Sequence, residues 1–295
     1  MSDKKEQTKL TMFMWILFRF ACIYIVLIIA LVIFENKLIF IPAKYPDGDW
    51  TTEVIKQSAS STVTVSDVFI QTADDVKIHA FYFEPAVSEY VILYCHGNAG
   101  NIADRKSISA ALTEIPASVL SFDYRGYGRS EGSPNEQGVY LDAEAAWDYL
   151  TQTKKIKAEN IIIFGVSLGA AVAIELAKRH PDARLLVTES AFTSLADMAT
   201  RQFPFLPKFV VRANFNNLEK IKSNKIPYLQ FHGIEDTLVP ISMARQLHRA
   251  STSKYHWYHE IKEAGHNEVM LYTKNYISIW KNALEASDYL KKEIP

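Results

Sequence analysis

Apolar and polar positions divide the chain into three stretches of different rhythm. From Met12 to Phe34 nearly every position is apolar, with Arg19 as its only charge. A run of that length matches the roughly 20 residues that a helix needs to cross a bilayer. From Glu35 to Ser61 no period is sustained, and Pro42, Pro46 and Gly48 interrupt the chain, which predicts a connecting arm. The apolar group Leu38, Ile39, Phe40 and Ile41 predicts that part of this arm is ordered. From Val63 the rhythm changes again. Val63, Val65, Val68 and Ile70, the turn Ala73-Asp74-Asp75 and the alternating run Val76 to Phe83 predict an antiparallel hairpin.

Beyond the hairpin, short and almost wholly apolar runs alternate with amphipathic stretches. The runs Tyr90 to Cys95, Ser118 to Phe122, Asn160 to Phe164, Leu185 to Thr188, Tyr228 to Phe231 and Tyr255 to Ile261 predict strands. Between them, Ile102 to Thr113, Glu136 to Thr151, Leu168 to Arg179, Ser242 to Ala250 and Tyr272 to Tyr289 predict helices. Strands that are apolar on both faces imply a sheet covered on both sides, so the pattern predicts an α/β fold with a mostly parallel central sheet. One segment departs from the alternation. Phe203 to Asn217 carries Pro204, Pro207 and the dense set Phe203, Phe205, Leu206, Phe209, Val210 and Val211. It suits a small cap over a site, a patch resting on a membrane, or an ordinary connecting helix. The organisation expected is thus an N-terminus at 1–11, a membrane span at 12–34, an arm at 35–61 and an α/β body at 62–295 with a short cap near 195–222.

Composition changes this picture little. With 48% hydrophobic content in 295 residues, the chain can bury one large core. Its 32 basic and 33 acidic residues leave a net charge of -1. No basic cluster suits a phosphate backbone, which argues against nucleic acid as a partner. Cys22 and Cys95, the only two cysteines, indicate neither a disulfide framework nor a thiolate metal site. No cofactor or metal is expected.

Lys4, Lys5 and Lys9 before the apolar run suit either a cleaved signal peptide or an uncleaved signal anchor. The bulky, polar sequence Phe34-Glu35-Asn36-Lys37 lacks small residues for cleavage and favours the anchor. Lys4, Lys5, Lys9 and Arg19 outnumber Lys37 and Lys44 across the run, which puts the N-terminus in the cytoplasm and the body on the outer side.

The candidate chemistry begins at Gly165-Val166-Ser167-Leu168-Gly169, between a predicted strand and a predicted helix. A G-x-S-x-G elbow in that setting exposes a serine hydroxyl at a helix N-terminus, where backbone N–H groups can stabilise an oxyanion. A serine at neutral pH needs a base, and the base an orienting acid. On a parallel sheet these should follow later strands, acid first. Asp236 fits as the acid in His232-Gly233-Ile234-Glu235-Asp236, with Glu235 and Glu189 as rivals. His266 fits as the base in the loop after the last strand. His79, His180, His248, His256 and His259 fall in strands or near helix ends. The N–H of Leu168 should supply one oxyanion donor. The N–H of Asn98, or that of Gly97 beside it, should supply the second, from the loop His96-Gly97-Asn98-Ala99-Gly100-Asn101. His96 itself lacks a second ligand at useful spacing and suits a structural hydrogen bond.

These motifs, with Asp123-Tyr124-Arg125-Gly126-Tyr127-Gly128-Arg129-Ser130, Gly233, Asp236 and Gly265-His266, resemble the α/β-hydrolase superfamily over most of Val63 to Leu290. The set is similar to the branch of membrane-anchored α/β-hydrolase-domain proteins, and to serine aminopeptidase-like and lysophospholipase-like hydrolases. The resemblance implies the α/β-hydrolase fold, with Ser167 as nucleophile, Asp236 as acid and His266 as base. It further implies that Asp123 to Ser130 is a structural loop near the site. The expected activity is hydrolysis of carboxylic esters or thioesters through an acyl-enzyme, on small acyl or lipid-like substrates, with membrane lipid as a partner. A peptidase acting on short peptides and a catalytically silent binding module are the alternatives.

Overall fold

Strands form where the apolar runs predict them. The computed structural model describes residues 2–52, 55–58 and 61–292. Among these, nine strands make one sheet: β1 (Ile55–Ser58), β2 (Ser61–Gln71), β3 (Lys77–Pro85), β4 (Tyr90–Cys95), β5 (Ala117–Phe122), β6 (Ile161–Val166), β7 (Leu185–Glu189), β8 (Tyr228–Gly233) and β9 (His256–Ile261). Their order across the sheet is β9-β8-β7-β6-β4-β5-β3-β2-β1. The expected hairpin is β2 and β3, in register from Val63 opposite Pro85 to Gln71 opposite Lys77. It joins the parallel strands through antiparallel pairing of β3 with β5. All pairings from β5 through β4, β6, β7 and β8 to β9 are parallel.

The helices follow the same logic. They are α1 (Ser2–Ile39), α2 (Lys106–Leu112), α3 (Glu136–Asp148), α4 (Leu168–Arg179), α5 (Leu195–Gln202), α6 (Ile241–Ala250) and α7 (Tyr276–Lys292), apart from shorter turns. One apolar layer packs α3, α4 and α6 on a face of the sheet through residues such as Val139, Val172, Ile174 and Leu247. The opposite layer packs α2 and α7 through Leu112, Trp280 and Leu284. Every residue of β5 and of β8 is buried, while β9, at the edge, is half-buried from His256 to Glu260. Burial on both faces is why the central strands read as continuous apolar runs.

Several boundaries differ from the pattern. The helix expected over Tyr272 to Tyr289 starts at Tyr276, because Asn275 takes a left-handed φ of 61° and separates it from the turn Val269–Tyr272. Ile102 to Thr113 begins as a 3-10 turn, Ile102–Arg105, capped by Asn101. Helix α3 ends in a π turn at Tyr149–Thr153. The apolar helix overruns its expected end at Phe34 and continues to Ile39, since no glycine or proline intervenes before Pro42. The next part of the arm is ordered, as Ile41–Pro42 pairs with Ala99–Gly100 and Phe40 is buried. Residues 53, 54, 59 and 60 of the arm, and residue 1 of the N-terminal segment, lie outside the described residues.

Strand β4 has β5 on one side and β6 on the other. The chain therefore leaves β4 and β6 at a switch point of the sheet, where loops diverge and a crevice opens beyond the strand ends.

Candidate active site

Ser167 sits between β6 and α4 with φ 55° and ψ -115°, a strained conformation for a non-glycine residue. The flanking glycines are dictated by close approach. A Cβ on Gly165 would lie 2.2 Å from the Gly169 carbonyl oxygen, and one on Gly169 would lie 1.9 Å from that of Cys95. The Ser167 N–H donates to the Glu189 carbonyl at 2.9 Å, fixing the elbow to the end of β7.

Two later loops bring their side chains to this hydroxyl. His266 Nε2 lies 2.9 Å from Ser167 Oγ, and His266 Nδ1 lies 2.7 Å from Asp236 Oδ2. An ionised carboxylate can only accept, so the ring proton sits on Nδ1 and the Nε2 lone pair faces the serine. Asp236 is held on its other oxygen, which accepts from the N–H groups of Leu238 at 3.0 Å and Val239 at 2.8 Å. Burial pushes this carboxyl up, but the hydrogen bonds from the His266 ring and the Val239 N–H outweigh it. The net result lies below the usual carboxylate range.

The rival acids are placed otherwise. Glu235 is exposed and its N–H donates to the Ala264 carbonyl. Glu189 is buried against the Tyr276 hydroxyl, and burial raises its pKa to about 7 despite that bond.

The loop after β4 faces the elbow, since a Cβ on Gly97 would lie 3.9 Å from the Ser167 Cβ. Asn98, Ser167 and Leu168 line one cleft. Tyrosines of the 123–130 loop hold this segment: Tyr124 donates to the His96 carbonyl at 2.9 Å, and Tyr127 to that of Asn98 at 2.7 Å. Asp123 accepts the Ile102 N–H at 3.0 Å, and Arg125 is clamped between Asp74 and Asp142. His96 donates from Nδ1 to the Gly97 carbonyl at 2.7 Å, and burial lowers its pKa to about 3. It is a neutral structural group. Among the described residues, no group of three or more His, Cys, Asp or Glu could hold a metal ion.

The family model of the alpha/beta hydrolase fold matches residues 90–225. WAV2 of Arabidopsis thaliana, an alpha/beta hydrolase domain-containing protein, is 33% identical over 242 residues, covering 76% of this chain and 78% of that protein. The chain belongs to the α/β-hydrolase family. This hydrolase-family chain is also 35% identical to Rv2307c of Mycobacterium tuberculosis, over 79% of its own length and 81% of that protein's. It superposes on the esterase Pf2001 of Pyrococcus furiosus with a TM-score of 0.65 at 22% identity, covering 85% of this chain and 98% of that one, a likeness of fold.

Three contributions to the α/β-hydrolase site carry no sequence motif. Ser190, left-handed at φ 51°, donates its hydroxyl to the His266 carbonyl at 2.9 Å. Thr237, Leu238 and Val239 form one side of the cleft. The end of α1 forms another, through Leu31, Val32, Glu35, Leu38 and Ile39.

Proposed function

We propose that the protein is a membrane-anchored serine hydrolase that cleaves carboxylic ester or thioester bonds of acyl or lipid-like substrates. The observation that carries this reading is the continuous relay from Asp236 through His266 to Ser167, with contacts of 2.7 and 2.9 Å. In the proposed reaction, Ser167 Oγ attacks the substrate carbonyl carbon while its proton passes to His266 Nε2. The carbonyl oxygen becomes an oxyanion facing the Leu168 and Asn98 N–H groups. Collapse breaks the bond to the alcohol or thiol, which takes the proton from His266 and leaves an acyl-serine. Water, deprotonated by His266, then releases the carboxylate and restores the hydroxyl. Asp236 holds the imidazole in the tautomer this requires and stabilises the imidazolium.

The preference for acyl groups is supported by the lining of the cleft. Leu31, Val32, Leu195, Met198, Leu206 and Val210 surround a space of about 360 Å³ that reaches Ser167. Anchoring through α1 is supported by Gln7–Ile39, long and apolar enough to cross a membrane. The basic residues before the run favour a cytoplasmic N-terminus with the catalytic body on the outer side.

A fluorophosphonate probe tests the reading. It should label the full-length protein and fail to label Ser167→Ala. Equal labelling of both would overturn the assignment.

A further inference from the structure

The cleft borrows a wall from the apolar helix. Ile28, Leu31, Val32, Glu35 and Ile39 recur at helical spacing and are half-buried, whereas Leu27, Ile29, Ile33 and Phe34 are exposed. This half-buried face of the helix is tied to the cap segment by polar bonds. The Tyr24 hydroxyl donates to the Phe205 carbonyl at 2.8 Å, and the Arg212 guanidinium to the Val32 carbonyl at 2.6 Å. Glu35 accepts the N–H groups of Arg212 at 2.7 Å and Ala213 at 3.1 Å.

These bonds fix depth. Charge is costly within hydrocarbon, so a membrane crossed by α1 ends near Glu35, Asn36 and Lys37. Tyr24 lies about 16 Å from Glu35 along the helix axis at 1.5 Å per residue. That is about half of a hydrocarbon core some 30 Å thick. Phe205 shares the depth of Tyr24, and the loop around it presents what a lipid contact requires: Phe203, Phe205 and Phe209 are 41%, 63% and 87% exposed. Lys208 within it is neutralised by Asp197. Phe203, Leu206, Val210 and Val211 of the same loop line the cleft together with Leu31 and Val32. One side of the loop thus faces the cleft and the other faces outward beside α1.

We propose that the loop Phe203 to Val211 is immersed in the acyl layer crossed by α1, and that the cleft is filled sideways by the acyl chain of a bilayer lipid. The ester carbonyl of that lipid then meets Ser167 without leaving the leaflet. The identity of the reacting atoms rests on the hydrolase reading above. The route of entry rests on the bonds between helix and cap.

The test uses the full-length chain in phosphatidylcholine nanodiscs doped with a phosphatidylcholine that carries a diazirine on its acyl chain. After irradiation, lipid adducts should map to Phe203–Val211 at a yield within about threefold of that on α1, in the wild type and in Ser167→Ala alike. Adducts confined to α1, with the loop labelled below a tenth of that level, would overturn the proposal. The fluorophosphonate result separates the two readings. A labelled loop with an unreactive Ser167 would leave the entry route standing and remove the hydrolase reading. A reactive Ser167 with an unlabelled loop would do the reverse.

Discussion

The Ser190 hydroxyl donates to the His266 carbonyl oxygen at 2.9 Å and so ties the end of β7 to the loop that carries the imidazole. Ser190 touches no reacting atom, and its effect passes through His266. A single hydrogen bond of this kind contributes about 1 kcal/mol, equivalent to roughly a fivefold change in rate. Ser190→Ala should therefore lower kcat toward a soluble ester about fivefold with KM unchanged. A purely structural role would instead lower Tm and leave kcat of the folded fraction intact, so both are to be measured.

Asp236→Asn tests the relay at its far end. The asparagine amide can keep the bonds from Leu238 and Val239 through its oxygen. Its NH2 group would then face His266 Nδ1 and force the ring proton onto Nε2. The expected loss in kcat is about 10⁴-fold, with a thermal midpoint close to that of the wild type. Steady-state hydrolysis and thermal unfolding of the same preparation check it.

Glu189 makes stability depend on pH. Burial raises its pKa from the ordinary 4.5 to about 7 in the folded protein. The folded state therefore binds this proton more tightly than the unfolded chain. Its stabilising effect is complete below pH 4.5 and is lost as pH rises through 7, a loss of about 3 kcal/mol. Glu189→Gln, which can still accept from Tyr276, should melt above the wild type at pH 8, and the gap should close toward pH 5. A gap independent of pH would count against this account.

Glu35 is the polar clasp between α1 and the segment that follows α5. Replacing it by alanine leaves two backbone N–H groups without their charged acceptor, a cost of about 1.5–3 kcal/mol. Trypsin should then cut at Arg212 several times faster in Glu35→Ala than in the wild type. Unchanged cleavage would mean that the clasp does not hold the segment.

Much of this molecule is legible from local rules. The elbow could be located because Gly165 and Gly169 are required by backbone contacts that no other residue satisfies. The order of strands fixed which loops could reach it, which singled out His266 and narrowed the acid to three carboxylates. Only the fold separates these, since Asp236 and Glu235 are neighbours in sequence but just Asp236 turns toward the imidazole. The cleft wall was illegible for a different reason. Tyr24 and Phe205 meet from distant parts of the chain, and neither side carries a period or spacing that names its partner. Ser190 was silent because a serine at the end of a strand has no pattern that marks it as a donor.

The Asn98 side chain donates to the Ile39 carbonyl at 3.0 Å, and its own carbonyl accepts the Ile41 N–H at 3.0 Å. The residue proposed to steady the oxyanion thus grips the chain on both sides of Phe40, where the long helix gives way to the body. Long helix and catalytic body are consequently not modules that can be divided at that joint. A shortened version starting after Ile39 would lose the carbonyl that holds the Asn98 side chain, and with it half of the grip on the proposed oxyanion donor.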